Sequence, residues 1–229
     1  KFYSLKLVDG TLNWVCEGLQ GYIESRPAVN KEHVYIGTWG AMFYAIDRRT
    51  GEKVWKFDTG RGRYFSPGAC WPVVLPYRKD GKSSEQVIVL SSDYFVRAFN
   101  PEDGKILWAS DEAKGRESLG FSPDGKTMYI KGIKNNITAV DVSKGSYTPL
   151  WNTLMPYESN FIPTRMETTE EYVFIPTEFG VVHAVRTDGS GIAWSHKVSH
   201  SAVTSLKNAG DHRLIVMTMD GTVTCLAYP

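Results

Sequence analysis

The chain has 229 residues, 42% hydrophobic and 22% charged, enough to bury a core of single-domain size. Lys and Arg number 26 against 25 Asp and Glu, and a net charge of +1 excludes the broad basic field that nucleic acid or anionic lipid would need. No apolar stretch approaches the roughly 18 residues of a membrane helix, while 7 Trp, 12 Tyr, 10 Phe, 21 Gly and 11 Pro favour short aromatic strands and frequent turns.

In chain order, the first element is a strand at residues 2–5, followed by the turn Asp9-Gly10-Thr11 and a strand at 11–15 that carries Trp14. A unit of four strands then begins. Residues 25–29 form its first strand, 34–36 a short apolar second, and 43–46 an alternating third; the turn Thr50-Gly51-Glu52 leads to a fourth around Trp55. The next unit repeats this order with strands at 69–74, 87–90 and 96–99, the turn Asp103-Gly104-Lys105, and Trp108. Its greater length comes from residues 76–85, an extended hairpin between its first and second strands.

The third unit has strands at 119–122, 128–130 and 137–140, then Lys144-Gly145-Ser146 and Trp151. The fourth has 161–164, 172–175 and 182–185, then Asp188-Gly189-Ser190 and Trp194. Three last strands at 202–205, 214–217 and 223–226 have no tryptophan after them. A period of roughly 40–50 residues, marked by Trp14, Trp55, Trp108, Trp151 and Trp194, identifies a repeat architecture before any single strand does. In each third strand a small residue (Ala45, Ala98, Ala139, Ala184, Cys225) holds the same place, leaving room for a bulky neighbour, which the following Trp would supply.

The hairpin Tyr44-Ala45-Ile46-Asp47-Arg48-Arg49-Thr50-Gly51-Glu52-Lys53-Val54-Trp55, recurring along nearly the whole chain, resembles the blade of the pyrroloquinoline-quinone-like β-propeller family. The resemblance implies an all-β fold: a β-propeller of about five four-stranded antiparallel blades, with residues 1–229 as a single domain. The last blade would be completed by the N-terminal strand at 11–15, a closure that removes an exposed edge. The surplus strand at 2–5 raises the alternative of a fragment of a longer, multidomain array.

Quinoprotein dehydrogenases of that family carry a vicinal cysteine pair and calcium ligands. Cys16, Cys70 and Cys225 are far apart, so no quinone or other cofactor is expected, and buried thiols suit them better than a disulfide framework or zinc site. Members that scaffold envelope assemblies, or accompany a catalytic domain, imply a noncatalytic binding module in the periplasm or outside the cell, as a monomer or part of a larger chain. The alternative is a propeller hydrolase, lyase or quinone-dependent oxidoreductase using polar groups near the axis.

In a propeller the blade-to-blade loops and the loops between second and third strands emerge at one end of the blades. The first set offers Glu24, Arg61, Arg63, Tyr64, Arg116, Glu117, Tyr157, Glu158, Asn160 and His200; the second offers Trp39, Asp93, Tyr94, Asn135, Glu178, Phe179 and Asp220. Aromatic faces beside arginines and carboxylates suit a protein partner or a small polar ligand such as a glycan or peptide. No metal is expected: His196 and His200 would stand roughly 13 Å apart on an extended strand. His183 reads as packed in its strand, and the acidic pairs Glu170-Glu171 and Asp111-Glu112 as solvated turns.

Overall fold

A computed structural model describes residues 1–60, 67–68, 70–155 and 164–229. The chain divides into two compact units, Lys1–Ser110 and Asp111–Pro229. In the first, β1 (Phe2–Leu5) and β2 (Leu12–Cys16) form a two-stranded sheet. A four-stranded sheet follows, built from β3 (Ala28–Val29), β4 (His33–Gly37), β5 (Met42–Asp47) and β6 (Lys53–Asp58). A second consists of β7 (Val73–Lys79), β8 (Lys82–Leu90), β9 (Val96–Phe99) and β10 (Ile106–Ser110).

The second unit contains two more such sheets. One has β11 (Gly115–Phe121), β12 (Thr127–Gly132), β13 (Asn136–Asp141) and β14 (Thr148–Leu154); the other has β15 (Glu167–Thr168), β16 (Tyr172–Pro176), β17 (Val181–Arg186) and β18 (Ile192–Lys197). A three-stranded sheet of β19 (Val203–Gly210), β20 (Arg213–Thr218) and β21 (Val223–Ala227) ends the chain. Every pairing is antiparallel between sequence neighbours, so each sheet is a meander that uses only short connections.

In the first complete sheet the second strand is buried throughout and the third up to Ile46, and β16 is buried throughout, as runs covered on both faces must be. The long hairpin of the second blade is continuous β7–β8 ladder, with Pro76 opposite Glu85, closed by Asp80 and Gly81 in the left-handed conformation of a tight hairpin turn. The first strand of the fourth blade lies at Glu167–Thr168, later than the expected 161–164, of which residues 161–163 are outside the described residues.

The expected closure is corrected by the strand pairing. β2 pairs with β1, Ser4 opposite Trp14, and the last sheet ends on β21 without a fourth strand. The cause is local: a six-residue connection, with Lys6 and Gly10 bonded across it, brings β1 and β2 together as an ordinary hairpin.

The expected small-residue pairing is present in register. Ala45 faces Trp55, Ala98 faces Trp108, Ala139 faces Trp151 and Ala184 faces Trp194. In all four, as in β1–β2, the register shifts by one residue just before the tryptophan, a β-bulge at Val54, Leu107, Leu150, Ala193 and Asn13. The bulge twists the outer strand and turns the indole away from its own sheet.

Three of these indoles reach the next sheet by hydrogen bond, and Trp108 Nε1 donates to Gln86 Oε1 within its own sheet at 3.0 Å. Trp14 Nε1 donates to Arg48 O at 2.9 Å, Trp55 Nε1 to Pro101 O at 2.8 Å, and Trp151 Nε1 to Thr187 O at 2.9 Å. In these three the acceptor is three residues beyond the small residue of the receiving strand. The ring lies flat on the turn glycine: a Cβ on Gly51, Gly104 or Gly189 would come within 2.6, 2.6 and 2.7 Å of Trp14, Trp55 and Trp151 respectively.

This docking is separable from glycine's conformational freedom. Gly104 and Gly81 both have positive φ, but a Cβ on Gly81 meets nothing within 4 Å. Gly81→Ala is expected to cost about 1 kcal/mol for its backbone alone, and Gly104→Ala about 2–4 kcal/mol because the methyl also displaces Trp55; urea unfolding of the two variants measures the difference.

Candidate functional site

The loops between second and third strands are short turns anchored by their own backbones. Thr38 N–H donates to Met42 O and Ser91 N–H to Phe95 O, with Ala41 and Tyr94 at positive φ. In the first unit Trp39 sits on such a turn, its backbone N–H donating to Tyr22 O at 3.0 Å. Its ring lies 5.9 Å from that of Tyr22 at 30°, and its Nε1 donates to Glu24 Oε2 at 2.5 Å. Gly68 abuts the indole as well. Trp39 is thus a brace for this end of the blade, and Tyr22, 53% exposed, is the ring offered to solvent.

Asp93 is turned inward. Its side chain is fully buried, and its two oxygens accept from Arg97 Nη1 at 3.0 Å and Nη2 at 2.5 Å. Phe95 and Phe57 stand 4.7 and 5.4 Å from the guanidinium carbon, and Ser91 Oγ accepts a further bond. The carboxylate therefore fixes the loop that carries Tyr94 rather than facing a ligand. Arg97 was not singled out by the sequence reading, although a lone cation within Val96-Arg97-Ala98-Phe99, four residues after an aspartate, is its signature.

In the second unit, the turn holding Glu178 and Phe179 is closed by Thr177 and packed on the loop holding His200. Val198 N–H donates to Gly180 O, and a Cβ on Gly180 would collide with Ser199 O. Glu178 and His200 are exposed, as is Phe179 at 52%. Beside them Asp220 accepts from Ser199 Oγ and Thr218 Oγ1, which, with the Thr222 N–H, hold its carboxyl well below the usual range. The structure so brings Glu178 and His200 onto neighbouring loops.

Arg116 and Glu117 lie within β11 rather than on a connecting loop, since the strand begins at Gly115 opposite Gly132. Arg61, Arg63, Tyr64, Tyr157, Glu158 and Asn160 lie outside the described residues. A groove of about 530 Å³ on the first unit, lined by Phe2, Tyr3, Trp14, Val29 and Arg48 among others, lies along β1 and β2 instead of at these loops. Among the described residues no group of three or more His, Cys, Asp or Glu is arranged to hold a metal ion.

One further polar group was placed by sequence only as a packed strand residue. His183 Nδ1 lies 2.7 Å from Ser195 Oγ, its cross-strand partner. Burial, reinforced by the nearby Lys131 ammonium, lowers the affinity of the imidazole for its proton below the ordinary value of 6.5.

A profile of the family described as outer membrane protein assembly factor BamB matches residues 3–160. The curated BamB of Yersinia pestis is 23% identical over 212 residues, covering 90% of this chain and 52% of that protein. A quinoprotein glucose dehydrogenase of Gluconobacter oxydans is 28% identical over 104 residues, 40% of this chain and 13% of that enzyme. The crystal structure of BamB from Moraxella catarrhalis superposes with a TM-score of 0.69 at 19% identity, covering 99% of this chain and 66% of that one, a likeness of fold. The chain thus spans about half the length of the curated BamB it matches.

Two outcomes follow from the buried groups. Asp93→Asn leaves the Arg97 charge buried and unpaired and is expected to cost about 3–5 kcal/mol, whereas the double change Asp93→Ala with Arg97→Met recovers most of it; denaturant midpoints of the three chains check this. The lowered affinity of His183 means the unfolded chain binds its proton more readily. Stability is then full above pH 6.5 and is lost as pH falls through that value toward the folded one. Thermal midpoints between about pH 5 and 8 should show this slope, flattened in His183→Gln.

Proposed function

This chain belongs to the family of the outer membrane protein assembly factor BamB, and from that membership we propose that it is a protein-interaction propeller acting in outer membrane protein assembly, on the periplasmic side. The observation that carries the reading is the way its blade-end loops spend their polar groups. Glu24 is bonded to Trp39, Asp93 to Arg97 and Asp220 to Ser199 and Thr218, so the loops are braced from within. What they present outward is half-exposed aromatic surface, Tyr22 on one unit and Phe179 with Glu178 on the other.

Rigid aromatic side chains on a fixed backbone lose little conformational freedom on docking, and they are the residue class that dominates protein interfaces. On either unit a partner would cover the exposed ring while the surrounding polar groups form the rim.

The test is affinity capture from detergent-solubilised bacterial envelope with tagged residues 1–229, its retained proteins identified by mass spectrometry. Outer membrane assembly proteins should be retained, and Tyr22→Ala with Phe179→Ala should lower their recovery roughly ten-fold, as loss of anchoring aromatics does. Retention unaltered by both substitutions, or binding only to glycans, overturns the reading.

A further inference from the structure

The sequence contains six Asp-Gly dipeptides, at Asp9, Asp80, Asp103, Asp124, Asp188 and Asp220, and each aspartate lies in a turn. Such a dipeptide is a latent reaction centre, because glycine has no side chain to shield its amide nitrogen and a five-membered ring joins that nitrogen to the carboxyl carbon. Sequence makes the six equivalent, but hydrogen bonding does not. In five of them both reacting groups are engaged. The N–H of Gly10, Gly104, Gly125, Gly189 and Gly221 donates to the carbonyl oxygen of Lys6, Asn100, Ser122, Arg186 and Thr218 respectively, at 2.8–3.1 Å. The preceding carboxylate accepts from the backbone N–H two residues on, that of Thr11, Lys105, Lys126, Ser190 or Thr222, again at 2.8–3.1 Å. Hydrogen bonds, led by those of Thr11, Lys105, Lys126, Ser190 and Ser199, hold these five carboxyl groups below their usual range, in the ionised form that resists attack.

Asp80-Gly81 has neither tether, and the hairpin explains why. It is the two-residue tip between β7 and β8, so the residue two beyond Asp80 is Lys82, the ladder partner of Lys79, whose N–H belongs to the strand pairing. Among the described residues no hydrogen bond reaches the Asp80 carboxylate or the Gly81 N–H, and both residues are exposed. A Cβ on Gly81 would meet nothing within 4 Å, so no neighbour hinders a rearrangement there. Asp80 also stands at φ 50°, a left-handed conformation that a residue with a Cβ adopts at a cost and that none of the other five aspartates shares.

We propose that Asp80 is the site at which the folded chain isomerises to isoaspartate, a backbone modification that needs only water. The Gly81 nitrogen attacks Asp80 Cγ, and the new C–N bond closes a succinimide while the amide proton and the carboxyl hydroxyl leave as one water. Water then adds back at either imide carbonyl. Cleaving the bond from nitrogen to Cγ restores aspartate. Cleaving the bond to the Asp80 carbonyl carbon leaves the chain running through Cγ, with the former main-chain carbonyl as a free carboxylate. Composition and charge are unchanged, but the tip gains one backbone atom and the Lys79–Lys82 pair loses the turn geometry that closes it. Residues 82–85 of β8 are exposed and burial begins at Gln86, so the change is confined to the hairpin and the blade beneath it stands.

The test holds folded residues 1–229 in warm neutral buffer and samples the chain over weeks. Peptide mapping with electron-transfer fragmentation reads isoaspartate at each position, and enzymatic methylation of its free carboxylate with labelled S-adenosylmethionine reads the total. Asp80 should accumulate isoaspartate at least about ten-fold faster than any of the other five, the ratio that about 1.4 kcal/mol of hydrogen-bond tethering supplies. In concentrated urea the tethers are gone and all six should rise at similar rates, which assigns the selectivity to the fold. Asp80→Glu keeps the charge, but its side chain is one methylene too long for the five-membered ring, so most of the methyl-accepting signal of the folded chain should vanish. The proposal is overturned if any of the other five keeps pace with Asp80 in the folded chain, or if Asp80 stays unmodified over a period in which the unfolded chain reacts. Methyl acceptance indifferent to Asp80→Glu overturns it equally.

Discussion

The architecture within each unit depends on one contact: the indole of a fourth strand laid flat on the third-to-fourth turn of the following blade. Sheets that merely face each other could slide, because apolar burial is non-directional. The Nε1–H bonds from Trp14, Trp55 and Trp151 to Arg48, Pro101 and Thr187 give those three pairs of sheets, each within one unit, a single register. The contact needs three concessions from the sequence. A small residue opposite the tryptophan gives its base room, a bulge one residue earlier swings it outward, and a glycine in the receiving turn lets the ring approach to within van der Waals distance of backbone.

Most of that was legible, because it is written locally. Tryptophan, small residue and turn glycine lie within about a dozen residues of one another, and their recurrence identified the blades and the third-to-fourth pairing without any long-range information. What the indole touches lies one blade away, and nothing near Trp55 names Pro101. The bulge was equally hidden, since Val54 reads as an ordinary strand residue; only the register, with Trp55 opposite Ala45 and Lys53 opposite Ile46, reveals the extra one. The N-terminal closure failed for a related reason. Both β1 and β21 carry a third-strand pattern with a small residue suited to Trp14, and sequence alone does not say which of two equivalent partners is seated.

The candidate surface was less legible than the fold. Composition identifies which residues could bind, whereas burial and partner decide which are free to. Asp93 and Tyr94 look alike on a polar turn, but a guanidinium four residues on takes both oxygens of the first and holds the second at the tip. Trp39 seemed the natural platform, yet its N–H goes to Glu24 and its face to Tyr22, which transfers the exposed role to a tyrosine that the pattern gave no reason to favour.

These internal pairings also bear on the kind of recognition the surface can support. A loop whose carboxylates are free can reorganise around many ligands. Loops whose carboxylates are tied, Glu24 to Trp39, Asp93 to Arg97 and Asp220 to Ser199 and Thr218, each hold one shape and must be met by a surface complementary to it. Because the loops ride on blades that the indole contacts already hold in fixed register, the shape at their tips is set by the core beneath. A substitution in a turn glycine far from any partner would then alter binding by moving a blade, without touching a single exposed side chain.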